Sequence, residues 1–251
     1  MIEVKNINKK FGDRAILSSA SVLFEQGKIN LIIGESGSGK TTLMKCMVGL
    51  ENVNKGEVLY DGRNFIAMDD REKKAIRKEI GMLFQGGALF DSLTAEENVT
   101  FPMTMFSDMS AEEKRERAQF CLQRVNLPNA GKLHPSELSG GMKKRVGIAR
   151  AIAMGPRYLF CDEPNSGLDP RTSILIDNLI KEITYELNIT TIIITHDMNS
   201  AIEIGDNIVF IYNGTIWWRG PKEEILKTEN PEINAFVYAS EFMKKIKKTF
   251  S

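Results

Sequence analysis

Cysteine, histidine and net charge are all scarce in this chain. The three cysteines among 251 residues, Cys46, Cys121 and Cys161, show no CxxC spacing, and an odd number cannot pair completely. A disulfide-stapled scaffold is thereby excluded. A reducing compartment fits, and each thiol reads as a small buried hydrophobe. The 33 basic side chains balance 33 acidic ones, so the broad positive field of a nucleic-acid binder is missing and no nucleic-acid partner is expected. Long apolar runs are missing too. "INLII" and "TIIIT" are strand-length, far short of the ~20 residues a membrane helix needs. The opening "MIEVKNINKKFGDR" lacks the apolar centre of a secretory signal. Any membrane role falls to a partner or a surface contact.

Apolar and charged fractions of 42% and 26% are those of an ordinary globular protein. "IEVKNI" and "SVLFE" alternate as half-buried strands, and "EVLYDGR" carries a turn signal at Asp61-Gly62. "INLIIG" predicts a buried strand running into glycine, with a helix in "KTTLMKCMVGL". "RYLFCDE" and "TTIIITHD" predict two more buried strands. Between them Ile174, Asp177 to Ile180, Ile183 and Leu187 recur at helical spacing. Strand, helix, strand at this period predicts an α/β fold with a parallel sheet and crossover helices. "SLTAEENVTFPMT" and "SAEEKRERAQFCLQRVN" begin with Ser or Thr caps followed by early glutamates, so a helical insert is expected over about 91–155. The charge runs "DDREKKAIRK" and "EEKRER" read as solvated helix faces. "VFIYNGTIWW" predicts a hairpin at Asn213-Gly214, with Trp217 and Trp218 on opposite faces.

The chemistry begins at "GESGSGKTT": Gly34, Glu35, Ser36, Gly37, Ser38, Gly39, Lys40, Thr41 and Thr42. Phosphate oxygens need many N–H donors close together, and glycine lets the backbone turn tightly enough to supply them. A helix starting near Gly39 adds the positive end of its dipole. Lys40 suits the β- and γ-phosphates of a nucleoside triphosphate, and the Thr41 hydroxyl suits Mg²⁺. "YLFCDEP" ends a strand in adjacent carboxylates, Asp162 and Glu163. One can hold Mg²⁺ through water while the other takes a proton from an attacking water; capping of the next helix is an equally good use of such a pair taken alone. His196 is expected at the same sheet edge, where open α/β folds place ligands, whereas His134 reads as a loop residue. Gln85 follows the strand "IGMLF", and its amide suits both a metal-bound water and a nucleophile. "LSGGM" sets Ser139, Gly140 and Gly141 at the start of a helix running through Ala153, which makes a second anion site or a plain N-cap.

Together these pieces resemble the ATP-binding cassette ATPases over roughly the first 225 residues. "GESGSGKT" matches the family's Walker A, Gln85 its Q-loop, "LSGGM" its signature, "YLFCDE" its Walker B, "SGLD" through Asp169 its D-loop, and His196 its switch histidine. Phe11 stands where the family stacks an aromatic ring on adenine. The resemblance implies a P-loop NTPase fold: a RecA-like parallel core sheet, an antiparallel β subdomain and an inserted α-helical subdomain. It implies an ATPase domain over 1–228 and a C-terminal helical extension over 229–251. ATP and Mg²⁺ are the implied cofactors, with Thr41, Gln85 and Asp162 on the metal side. Glu163, His196 and Gln85 would be catalytic. The implied assembly is a head-to-tail homodimer in which Ser139, Gly140 and Gly141 touch the twin's ATP and Asp169 lies at the dimer contact.

Most cassettes carry glutamine where this chain has Met142. "LSGGM", with "GMLFQGGALFDSLTAEENVTFPM", looks like the ATPases of Mla/Mce-type phospholipid transporters. That likeness implies a permease dimer, a periplasmic Mce-type lipid-binding partner and a peripheral place on the cytoplasmic face of the inner membrane. Importers of amino acids or other small solutes, cell-division complexes and nucleotide-gated scaffolds share the same machinery. In the tail, Ile233, Phe236, Val237, Phe242 and Ile246 are spaced for one helix face. Lys244, Lys245, Lys247 and Lys248 suit the cassette, its twin or anionic lipid.

Overall fold

The computed structural model describes residues 1–238, so Phe242, Ile246 and the four tail lysines lie outside the described residues. The chain opens with β1 (Ile2–Phe11), β2 (Arg14–Phe24), β3 (Ile29–Ile33) and α1 (Lys40–Met47). Next come β4 (Lys55–Tyr60), β5 (Arg63–Asn64), α2 (Asp70–Lys78) and β6 (Ile80–Leu83). The helical stretch is α3 (Ala95–Phe106), α4 (Ala111–Arg124) and α5 (Gly140–Ile152), the last preceded by a short turn at Pro135–Glu137. Then follow β7 (Tyr158–Asp162), α6 (Pro170–Glu186), β8 (Thr190–Ile194) and α7 (Met198–Ile204). The described part closes with β9 (Asn207–Tyr212), β10 (Thr215–Pro221), α8 (Lys222–Ile225) and α9 (Pro231–Val237). These elements form two compact units, Met1–Ala67 with the described residues from Ile194 onward, and Met68–Ile193.

In the first unit β2, β1, β4 and β5 form an antiparallel sheet in that order. β4 and β5 meet at Asp61 and Gly62, with φ of 47° and 79°; this left-handed pair gives the turn the right-handed twist that hairpins require. β3, buried at all five positions, pairs in parallel with β9. β9 turns into β10 at Asn213 and Gly214, with φ of 47° and 74°. The strict alternation expected at Trp217 and Trp218 is interrupted: Ile216 pairs with Ile211 and Trp218 with Phe210, leaving Trp217 in a bulge. On α9, Ile233 and Val237 are buried, and the Phe236 ring lies 5.4 Å from that of Phe210.

In the second unit the strand order is β8, β7, β6, and β6 runs parallel to β7 with Ile80 opposite Tyr158. α6 connects β7 to β8. α3 and α4 start as their sequences require. Thr94 and Ser110 accept the Glu97 and Glu113 amides at 3.3 and 3.2 Å, and each glutamate reaches back to its cap's N–H. Those bonds hold both glutamate pKa values below the ordinary range. Arg117 of α4 donates to the Ala153 and Ile152 carbonyls at 2.9 and 3.1 Å and so closes the end of α5. The buried stripe of α6 differs from the expected one. It comprises Ile176, Asp177, Leu179, Ile180, Ile183 and Thr184, while Ile174 and Leu187 are each 48% exposed. Asp177 is tolerated inside because the Asn165 amide donates to it at 2.8 Å.

Candidate functional site

The phosphate loop joins β3 to α1 within the first unit. A side chain at Gly34, where φ is 147°, would put its Cβ 2.3 Å from the Ile211 carbonyl oxygen; Gly39, the α1 cap at φ 109°, would meet Leu17 Cδ2 at 2.9 Å. Both positions therefore require glycine. Lys40 is buried, and its ammonium donates to the Gly34 and Glu35 carbonyls, each at 2.8 Å, so the loop curls around the charge. Ser38 Oγ is buried with no hydrogen-bond partner among the described residues, a polar atom prepared for an incoming acceptor. The first-turn amides of α1 have no intrahelical partners. Glu35, Ser36, Gly37 and Thr41 are exposed, and Thr42 is half-buried. A glycine loop and a helix start beside a buried ammonium fit a polyphosphate.

Phe11 ends β1 and is 48% exposed. The Lys9 ammonium sits 4.5 Å over its ring and is itself held by Glu51 at 3.0 Å and the Asn52 carbonyl at 2.7 Å. His196 lies exposed two residues beyond β8, just before Asp197, which caps α7 through the Asn199 amide at 2.8 Å.

The second unit carries the remaining candidates. β7 ends at Asp162, and Glu163 follows with φ 47°. The chain thus leaves the strand in a left-handed conformation, which costs a non-glycine residue about 1–3 kcal/mol. The Glu163 carbonyl accepts the Ser166 amide at 3.2 Å. Gln85 is exposed beyond β6, and its amide reaches Ser166 Oγ at 3.4 Å. Arg150 of α5 donates to the Gly87 and Ala88 carbonyls, both at 2.7 Å, which ties down the segment after Gln85.

Ser139 caps α5, its Oγ accepting the Met142 amide at 3.2 Å. The hydroxyl proton remains available for a further acceptor. Gly140 opens the helix. A Cβ on Gly141 would stand 2.5 Å from Thr172 Cγ2, so this glycine lets α5 approach α6 closely. Asp169 caps α6 by accepting from the Arg171 and Thr172 amides at 3.0 and 3.1 Å and from the Thr172 hydroxyl at 2.5 Å. The Thr172 bonds, first the hydroxyl, hold its pKa below the ordinary value. Phe11, the phosphate loop and His196 thus belong to one unit; Gln85, Ser139, Gly140, Gly141, Asp162, Glu163 and Asp169 belong to the other. Sequence reasoning missed Lys144, Arg150 and Thr172. The two basic side chains bond to backbone far away in sequence, and the Thr172 methyl faces Gly141, which no local pattern announces.

A strand, a glycine loop and a helix closing on a buried lysine define a P-loop nucleoside triphosphatase. Comparison with known proteins narrows the class. The ABC transporter family description matches residues 17–166, and the chain belongs to that family. It is 38% identical over 237 residues to the intermembrane phospholipid transport system ATP-binding protein MlaF of Haemophilus influenzae, covering 94% of this chain and 90% of that one. It is 39% identical to the methionine import ATP-binding protein MetN of Clostridioides difficile, over 90% of this chain and 70% of the other. The dimeric structure of a post-hydrolysis state of the ATP-binding cassette MJ0796, bound to ADP and Pi, superposes with a TM-score of 0.81 at 34% identity. That likeness covers 88% of this chain and 99% of MJ0796. The chain is therefore an ATP-binding, ATP-hydrolysing cassette with the expected fold. Among the described residues no helix is long and apolar enough to cross a membrane.

Proposed function

We propose that this ATPase drives a phospholipid transporter of the Mla/Mce type. The observation that carries the reading is the likeness to MlaF along 94% of the chain, at nearly the full length of that protein. The match to MetN is as strong by identity but spans only 70% of it, which makes import of a small solute such as methionine the competing reading. The proposed complex is a head-to-tail homodimer of this chain on the cytoplasmic face of the inner membrane, docked to a permease dimer and served by a periplasmic Mce-type lipid carrier.

In the proposed mechanism Lys40 and the amides of Gly34 to Thr42 hold the phosphates, and Phe11 stacks on adenine. Mg²⁺ would neutralise charge on the phosphate oxygens; Thr41, Gln85 and, through water, Asp162 would hold it. Glu163 takes a proton from the attacking water, while Gln85 and His196 orient water and γ-phosphate. Ser139, Gly140 and Gly141 donate to the twin's ATP, and Asp169 supports the dimer contact by fixing the start of α6.

The test is reconstitution of the full chain with an Mla/Mce-type permease. ATP-dependent transfer of labelled phospholipid between vesicles is expected, and Lys40→Ala should abolish it. ATP-driven uptake of labelled methionine without lipid movement would refute the lipid assignment.

A further inference from the structure

Lys144 lies on α5, five residues after the Ser139 cap, and is only 5% exposed. Its ammonium donates to the Gln85 carbonyl and, at 3.2 Å, to the Glu163 carbonyl. A buried ammonium is costly unless its protons are satisfied, and here two distant loops supply the acceptors. Burial pushes its pKa down, while Cys161 and the Asp162 and Glu163 carboxylates oppose that shift. One acceptor belongs to a non-glycine residue with left-handed backbone, Glu163 at φ 47°. Such a conformation persists only where its surroundings hold it.

We propose that Lys144 is a positioning residue for hydrolysis, tying the Gln85 and Glu163 backbones to α5. The helix whose first turn grips phosphate then also sets where the base and the glutamine stand. Lys144 acts through those two backbones. The proposal rests on the catalytic reading of Glu163 and Gln85.

The test compares Lys144→Met, Lys144→Arg and Glu163→Gln in the full chain. In Lys144→Met, kcat should fall about 10- to 100-fold while the Kd for ATP stays within about twofold, because the bonds act on the reacting groups and not on nucleotide binding. Lys144→Arg, which keeps a charged donor, should recover most of the loss. Without nucleotide, amide exchange at Gly87 and Ser166, whose N–H groups bond to Phe84 and Glu163, should quicken about tenfold in Lys144→Met. A normal kcat in Lys144→Met beside a slowed Glu163→Gln overturns this proposal and leaves the catalytic reading standing. Normal turnover in Glu163→Gln overturns both. An equal loss in the Met and Arg variants, matched by weaker ATP binding, marks a merely structural lysine and also overturns it. If Lys144→Met does not fold, Lys144→Gln replaces it: an intermediate loss of kcat supports the proposal and no loss refutes it.

Discussion

Gly141→Ala sets two local rules against each other. In a helix, alanine is favoured over glycine by up to about 1 kcal/mol, so propensity alone predicts a more stable protein. The tertiary structure predicts the reverse. The new Cβ would lie 2.5 Å from Thr172 Cγ2, where ordinary contact begins near 3.4 Å. Thr172 cannot turn the methyl aside cheaply, because its hydroxyl is bonded to Asp169 at 2.5 Å and would be pulled off the α6 cap. Forcing a methyl into such a site costs about 1–3 kcal/mol, so the net change should be a destabilisation of about 1 kcal/mol. In a chain of this length that lowers Tm by about 2–4 °C. Thr172→Ser removes the methyl and keeps the hydroxyl. In that background Gly141→Ala should become stabilising, a coupling of about 2 kcal/mol between the two sites. Thermal unfolding of the four proteins completes the cycle. Equal effects of Gly141→Ala in both backgrounds would refute the steric account and return the glycine to a role at the ligand alone.

Two further outcomes follow from the site and the core. Mixing Lys40→Ala with Ser139→Arg should give ATP-dependent crosslinking of differently labelled chains where neither variant crosslinks alone, because both lesions then fall in one composite site and the other stays whole; a mixture no better than either variant refutes action in trans. Burial pushes the Cys46 thiol from an ordinary 9.0 up to about 11, against the pull of Lys9. The unfolded chain then binds fewer protons than the folded one between those values. Stability that is complete below pH 9 is lost as pH rises toward 11. Cys46→Ala should flatten that part of the fall in Tm, and an unchanged slope would remove Cys46 as its cause.

The elements were legible wherever a local rule is enough. "INLII" is buried at all five positions because four of them are apolar and Asn30 is hydrogen-bonded to the Glu25 backbone, and Thr94 and Ser110 cap their helices through atoms three residues away. Asn213-Gly214 turns a hairpin for the same local reason. The phosphate loop was legible because its donors are backbone groups of consecutive residues, and the order of glycines alone encodes the curl around Lys40. What the sequence could not decide depends on which distant atom stands opposite. Ile174, Asp177 to Ile180, Ile183 and Leu187 satisfied helical spacing, yet only packing selected the face that left Ile174 and Leu187 outside. Glu163 was legible as a carboxylate at a strand end. Its left-handed backbone, and the buried lysine that takes its carbonyl, were not. Side-chain chemistry and short-range hydrogen bonds are written along the chain. Close approach, burial of charge and backbone strain are set by segments far apart in sequence, and they exist only once the chain has folded.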